Sequence, residues 1–267
     1  MKKLLKFLLN KTNYRIINIG RGTRNIAEKI PISENTWQII RPNTMLSELR
    51  LANISESIEY LVANAIEGDI VECGIWKGGS VALMAHTLLS KRETRHLHLF
   101  DIFDDICEPD AAVDGERAVR EAGGIEHALG RLIPVKGIYN NKKTGGAGDE
   151  AAVYQLIVNQ MSYPAPFVHL HKGWFQETLP LVKKDIAGIA LLRLDGDWYA
   201  STKVCLEHLY DKVVTGGVII VDDYGAYDGC RKAVDEYCRA NNIHPLHAYV
   251  DNECIFWIKT ASASQGR

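Results

Sequence analysis

The chain has no apolar run near the ~18 residues that a membrane-spanning helix needs, so no stable membrane insertion is expected. It has no surplus of one charge. Its 267 residues hold 31 Lys and Arg against 33 Asp and Glu, a net charge of -2. A protein that grips phosphate backbones is normally clearly basic, so no nucleic-acid partner is expected. Proline is scarce, at 8, and no segment repeats. Six cysteines, Cys73, Cys107, Cys205, Cys230, Cys238 and Cys254, form no C-x-x-C pair. That argues against a zinc ribbon or redox motif, and for reduced thiols in a cytoplasmic protein. The G-x-G-x-x-G turn of a dinucleotide-binding oxidoreductase is also missing.

What is present is an ordinary globular composition, 46% hydrophobic and 24% charged. The start, MKKLLKFLLNK, reads as a basic amphipathic helix within an N-terminal extension over residues 1–43. Leu46, Leu49, Ile54, Ile58, Leu61 and Ala65 recur at helical spacing. The rhythm then changes. Short apolar strands over 69–73, 96–100, 167–171, 186–194 and 217–221 alternate with helices over 81–89, 175–182, 201–210 and 229–240. The end, about 246–259, reads as a hairpin around Asp251-Asn252-Glu253. Alternating strands and helices predict an α/β fold with a parallel, doubly wound sheet. Residues 102–165 break the alternation with a helix at about 112–122, a polar glycine-rich stretch at 140–148 and a helix at about 150–160. An insertion of that length is read as a lid over the site of a second domain, 44–267.

In such a sheet, ligands bind beyond the carboxyl ends of the strands. Four strand ends carry acids or glycines there: Glu72 with Gly74, then Asp101, then Asp195, then Asp222 with Asp223. Glycines at 74, 78 and 79, followed by Ser80, let the backbone turn closely around a ligand ahead of a helix N-terminus. Asp101 lies 27 residues beyond Gly74, at the next strand end, where an acid suits ribose hydroxyls. Asp195, Asp222 and Asp223 would repel one another, and a divalent cation relieves that repulsion. An all-oxygen set favours Mg²⁺, with Mn²⁺ or Ca²⁺ as the other hard choices. One or two of these acids could instead cap helices or pair with Arg193, and Asp197 could equally cap the following helix. His169 and His171 alternate with apolar residues and read as strand packing.

The chain resembles the macrocin O-methyltransferase (TylF-type) family of class I, S-adenosylmethionine-dependent enzymes. Thr44-Met45, Glu72–Gly79, Gly173-Trp174-Phe175-Gln176-Glu177-Thr178-Leu179-Pro180, the Arg193–Thr202 block and Gly217–Tyr224 carry the resemblance, in the family's order. It implies a Rossmann-like, seven-stranded, mostly parallel sheet with a C-terminal antiparallel hairpin strand and helices on both faces. It implies O-methylation of a sugar hydroxyl, on a glycosylated metabolite or polysaccharide, and a homo-oligomer. By the same resemblance Glu72 and Gly74 touch the methionine end of the cofactor, and Met45, Gly78, Gly79 and Ser80 also bind the cofactor. Asp101 holds its ribose, and Trp174, Phe175 and Gln176 line its adenine. Asp195, Asp222 and Asp223 bind Mg²⁺, with Asp195 at the catalytic centre. The similar catechol-type enzymes carry a lysine base three residues after the first metal aspartate, where this chain has Trp198. Two other functions stand beside methyl transfer: an NAD-dependent sugar oxidoreductase, and a non-enzymatic, metal-stabilised binding module.

Overall fold

The structure, a computed structural model, describes residues 32–138 and 145–261. The basic start of the chain and Asn140–Thr144 of the polar stretch lie outside the described residues. The compact unit begins at Ile32, ahead of the boundary read at residue 44. Its first helix, α1 (Glu34–Ile40), is capped by Ser33, whose side chain accepts from the Thr36 amide. The helix ends on the buried Ile40.

Ser47 caps α2 (Glu48–Ala63) in the same way, accepting from the Arg50 amide. The apolar stripe of α2 is fully buried at Leu51, Ile54, Ile58 and Leu61. Next come β1 (Asp69–Cys73), α3 (Gly79–Ser90) and β2 (Leu97–Asp101). The inserted segment carries α4 (Gly115–Glu121) and α5 (Glu150–Tyr154); α5 widens into π-helical turns over Gln155–Gln160. The regular alternation resumes with β3 (Val168–Lys172), α6 (Phe175–Val182), β4 (Ile189–Leu194), α7 (Tyr199–Leu209), β5 (Val213–Val221) and α8 (Asp228–Ala240). It closes with β6 (Ala248–Tyr249) and β7 (Ile255–Ile258).

The seven strands lie in the order β3-β2-β1-β4-β5-β7-β6. The first five pair in parallel, and β7 runs antiparallel to both β5 and β6. This is the expected sheet. Residues of alternating parity leave its two faces. Val71, Cys73, Leu192, Leu194, Ile219 and Val221 enter one hydrophobic cluster with Leu179 of α6, Leu206 of α7 and Val234 of α8. Ile70, Glu72, Leu191 and Arg193 fall on the opposite parity. The order reverses at β1, between β2 and β4, so a crevice opens beyond the carboxyl ends of these strands.

Much of segment 102–165 is fastened to the domain. Residues 107 and 110 bridge antiparallel to 134 and 129. Arg131 makes a two-pronged ion pair with the buried Glu108. Asp114 accepts from the Tyr199 amide at 2.7 Å, which ties α4 to the start of α7. Val153, Leu156 and Ile157 of the second inserted helix are buried.

Candidate active site

An open cleft of about 530 Å³ lies at the carboxyl ends of β2, β1 and β4. Its wall begins with Gly74. The backbone there has φ +87°, and a Cβ would stand 1.8 Å from the Asp195 carbonyl oxygen. Only glycine lets the ends of β1 and β4 close on each other, joined by the Asp195 amide donating to the Cys73 carbonyl at 2.8 Å. Asp101 braces the turn that follows. Its Oδ2 accepts from the Ile75 and Trp76 amides at 2.8 and 2.9 Å, and its Oδ1 from Phe103 at 2.7 Å. Burial nevertheless raises its pKa, against those amide hydrogen bonds. Trp174, which precedes α6, and Phe175 and Gln176 of its first turn line the cleft together with Ile102, Asp104 and Ile106. Gly196 lets the Phe175 ring approach, since a Cβ there would meet the ring at 3.1 Å.

The floor is acidic. One carboxylate oxygen from each of Asp195, Asp197 and Asp223 lies within 4.8 Å of the other two. Burial pushes Asp223 and Asp197 well above the usual carboxylate range, and the neighbouring aspartates push them further. Asp223 Oδ2 is buried with no hydrogen-bond partner. An orphaned carboxylate oxygen beside two more acids, with oxygen the donor type throughout, fits a hard divalent cation. Behind the cluster lies Arg193, 1% exposed. It pairs with Glu72, with Asp195 at 2.8 Å and with Asp222 at 2.6 Å. Burial disfavours its charge, but these three carboxylates outweigh that and hold its pKa well above the usual value. Arg50 of α2 takes the other Asp222 oxygen at 2.6 Å and continues to Asp251 and Glu253.

The sequence profile of the macrocin-O-methyltransferase (TylF) family matches residues 18–131 and 157–259. The chain belongs to this family. A demethyldecarbamoylnovobiocin O-methyltransferase of Streptomyces niveus is 34% identical over 82% of the chain and 76% of that protein. The 8-demethyl-8-(2,3-dimethoxy-alpha-L-rhamnosyl)-tetracenomycin-C 4'-O-methyltransferase of Streptomyces olivaceus is 32% identical over 84% of the chain and 78% of that protein. The solved structure of the O-methyltransferase NovP superposes with a TM-score of 0.66 at 31% identity, covering 88% of the chain and 93% of NovP. The protein is therefore an O-methyltransferase.

Within this macrocin O-methyltransferase fold, the expected residues divide into three groups. Gly74, Asp101, Trp174, Phe175, Gln176 and Asp195 line the cleft. Glu72, Gly78, Gly79 and Ser80 stand behind its wall. Glu72 is wholly buried, accepts from Ser80 Oγ at 2.8 Å and is pushed by burial up to about 7, against Arg193 and Ser80. Gly78 has φ +79°, and a Cβ on Gly79 would strike the Asn43 carbonyl at 2.5 Å. Gly79 thus seats α3 against the 43–44 turn, and Gly78 faces Val153 and Leu156 of the inserted segment. Met45 is half-exposed next to Thr44 and is not among the residues lining the cleft.

The acid set differs from expectation at one member. The structure does not bring Asp222 to the open face of the cluster, because two guanidinium groups already hold both its oxygens. Asp197 takes that place. Its backbone has φ +59°, a left-handed conformation uncommon for a residue with a side chain. Trp198 is buried, donates its indole N–H to the Cys107 carbonyl at 2.8 Å and packs edge-on to Tyr227. It offers no base. The sequence points to Arg193 as a partner of the acids but not to Arg50. Arg193 sits two residues before Asp195 on a buried strand, where a charge needs partners.

Among the described residues no helix is long and apolar enough to cross a membrane.

Proposed function

We propose that the protein transfers a methyl group from S-adenosylmethionine to a sugar hydroxyl of a glycosylated small molecule, assisted by Mg²⁺ or Mn²⁺. The observation that carries this reading is the acidic floor of the cleft: three converging carboxylates, one with an unpartnered buried oxygen, beside an aromatic wall. The relatives named for sugar-bearing antibiotic substrates support the acceptor class.

The cofactor fits the residues present. Trp174 and Phe175 offer aromatic surface for a purine. Asp101 keeps lone pairs free on Oδ1 for a ribose hydroxyl while it holds the Ile75–Trp76 turn. Gly74 leaves room for the methionine end, and the glycine turn opens onto the α3 N-terminus. The sulfonium methyl is the group transferred.

Asp195 and Asp223 hold the cation in this reading, and Asp197 takes the proton of the acceptor hydroxyl. The division follows from placement. Asp197 and Asp195 line the cleft, whereas Asp223 is not among its lining residues and has the orphaned oxygen. A cation there would lower the pKa of an acceptor hydroxyl and orient it. The raised pKa of Asp197 suits a group that accepts a proton during turnover. Arg193 fixes Asp195 from behind and also pairs with Glu72 and Asp222, so the cluster keeps its shape before any cation binds.

The test is a pair of isosteric variants assayed on a panel of glycosides with radiolabelled S-adenosylmethionine. D223N should lose the rise in melting temperature that Mg²⁺ gives the wild type. D197N should keep that rise and lose about a hundredfold or more in kcat, the usual contribution of a general base. Wild-type turnover by D197N, or a full Mg²⁺ shift in D223N, would refute the assignment.

A further inference from the structure

Four histidines outside the active site converge on one face of the β2–β3 edge of the sheet. His98 stands directly across from His169 in the parallel register, and Phe100 across from His171. The rings of His96 and His169 lie 5.0 Å apart, and those of His98 and His169 4.7 Å apart and nearly parallel. His96 Nδ1 faces His169 Nε2 at 2.8 Å. His98 Nδ1 faces His171 Nε2 at 3.2 Å, and His98 Nε2 lies 3.5 Å from the Asp69 carboxylate.

We propose that His96 and His169 form a chelating site for one borderline divalent transition cation, Cu²⁺, Ni²⁺ or Zn²⁺, distinct from the carboxylate cluster. Nitrogens bound to one metal at ~2.0–2.1 Å and at right angles stand about 2.9 Å apart. The facing nitrogens are already at that separation, so chelation needs no backbone movement. A neutral imidazole carries one N–H, so the pair shares a single proton between two nitrogens. Once the donating ring moves its proton to its other nitrogen, a cation binds both nitrogens from beside the line that joins them, and the two rings tilt toward it by side-chain rotation. Burial, with the neighbouring His98 and His96, holds the His169 pKa below the ordinary value, which keeps its lone pair available at neutral pH. His96 is exposed, so the site opens to solvent.

The surroundings fix the rings. Phe167 packs on His96 at 4.8 Å, and the His98–His171 pair with Asp69 buttresses His169 from the inner side. Partners that orient imidazole rings strengthen metal binding. Nitrogen ligands select this class of cation over Mg²⁺. His96 lies five residues before Asp101, about 16 Å along the strand from its carboxyl end, so the two sites take different cations independently.

The experiment titrates Cu²⁺ into the full chain with Mg²⁺ in excess and follows the electron paramagnetic resonance spectrum. One equivalent should bind with hyperfine splitting from two nitrogens. H96A and H169A should each weaken that binding at least about tenfold, while methyl transfer under Mg²⁺ stays at the wild-type rate. His96 is exposed and precedes β2, so H96A tests the site without removing a sheet contact. A spectrum without nitrogen coupling would mean that the rings only hydrogen-bond to each other, and the proposal fails. Unchanged affinity in both variants would place the cation elsewhere and overturn it equally.

Discussion

Asp222 and Asp223 are adjacent in sequence and equal in chemistry, yet they do different things. Both lie in the turn that follows the last residue of β5, Val221, and there Asp223 meets the cluster while Asp222 meets Arg193 and Arg50. D222N should therefore lower the melting temperature, because the buried Arg193 and the half-buried Arg50 lose a charge-assisted partner worth roughly 1.5–3 kcal/mol each. It should leave more of the Mg²⁺-induced thermal shift than D223N does, and calorimetry of the two variants with and without Mg²⁺ checks this. Asp101 was legible as a strand-end acid, but its role in bracing the Ile75 and Trp76 amides was not. D101A should weaken cofactor binding about tenfold or more and also destabilise the fold, since it orphans backbone donors as well as a ribose contact. Isothermal titration with S-adenosylmethionine and a thermal melt read the two effects separately. The acids could be found from sequence because each ends an apolar run. Their distant partner could not: Arg50 lies 172 residues from Asp222, and nothing local pairs them.

Strand positions followed from apolar runs, and boundaries slipped where a glycine or a turn misled. The apolar run predicts β5 from residue 217. The ladder instead runs from Val213, and Gly216 and Gly217 exchange backbone hydrogen bonds with Lys259. β4 starts later than expected, at Ile189, because residues 183–185 wind as a 3₁₀ turn. Segment 102–165 was least legible, since its anchors are long-range: Arg131 on Glu108, and Asp114 on the Tyr199 amide. Its glycine-rich end reaches the cofactor turn. The Trp76 indole donates to the Gly146 carbonyl at 3.1 Å, and a Cβ on Gly148 would stand 1.8 Å from the Trp76 carbonyl oxygen. If residues 145–149 act as a lid, their amides should exchange more slowly once cofactor and acceptor are bound. W76F, which lacks the indole donor, should speed that exchange. Hydrogen exchange by mass spectrometry tests both, and full protection of the ligand-free segment would make it a fixed loop.

At the scale of the whole molecule, the site stores charge. Glu72 is raised by burial from 4.5 to about 7, and Asp197 and Asp223 are raised by burial and by their neighbours. A raised acid binds more protons folded than unfolded, so the metal-free protein should lose stability as pH climbs from 4.5 to about 7. Cation binding relieves the repulsion at Asp197 and Asp223, so the Mg²⁺-induced rise in melting temperature should grow with pH as those two acids lose their protons. Scanning calorimetry at several pH values, with EDTA and with Mg²⁺, measures both slopes. The four histidines illustrate what only the assembled sheet can show. His169 and His171 read as packing on an isolated strand, and the pairing of β2 with β3 supplies the nitrogens of His96 and His98. The central claim is that Asp195 and Asp223 of the carboxylate cluster hold a cation that methyl transfer requires. The most direct measurement is the rate of methyl transfer to a glycoside acceptor by enzyme stripped with EDTA and verified metal-free by elemental analysis. That rate should fall to background and return on adding Mg²⁺ or Mn²⁺, whereas an undiminished rate in the verified metal-free enzyme would contradict the account.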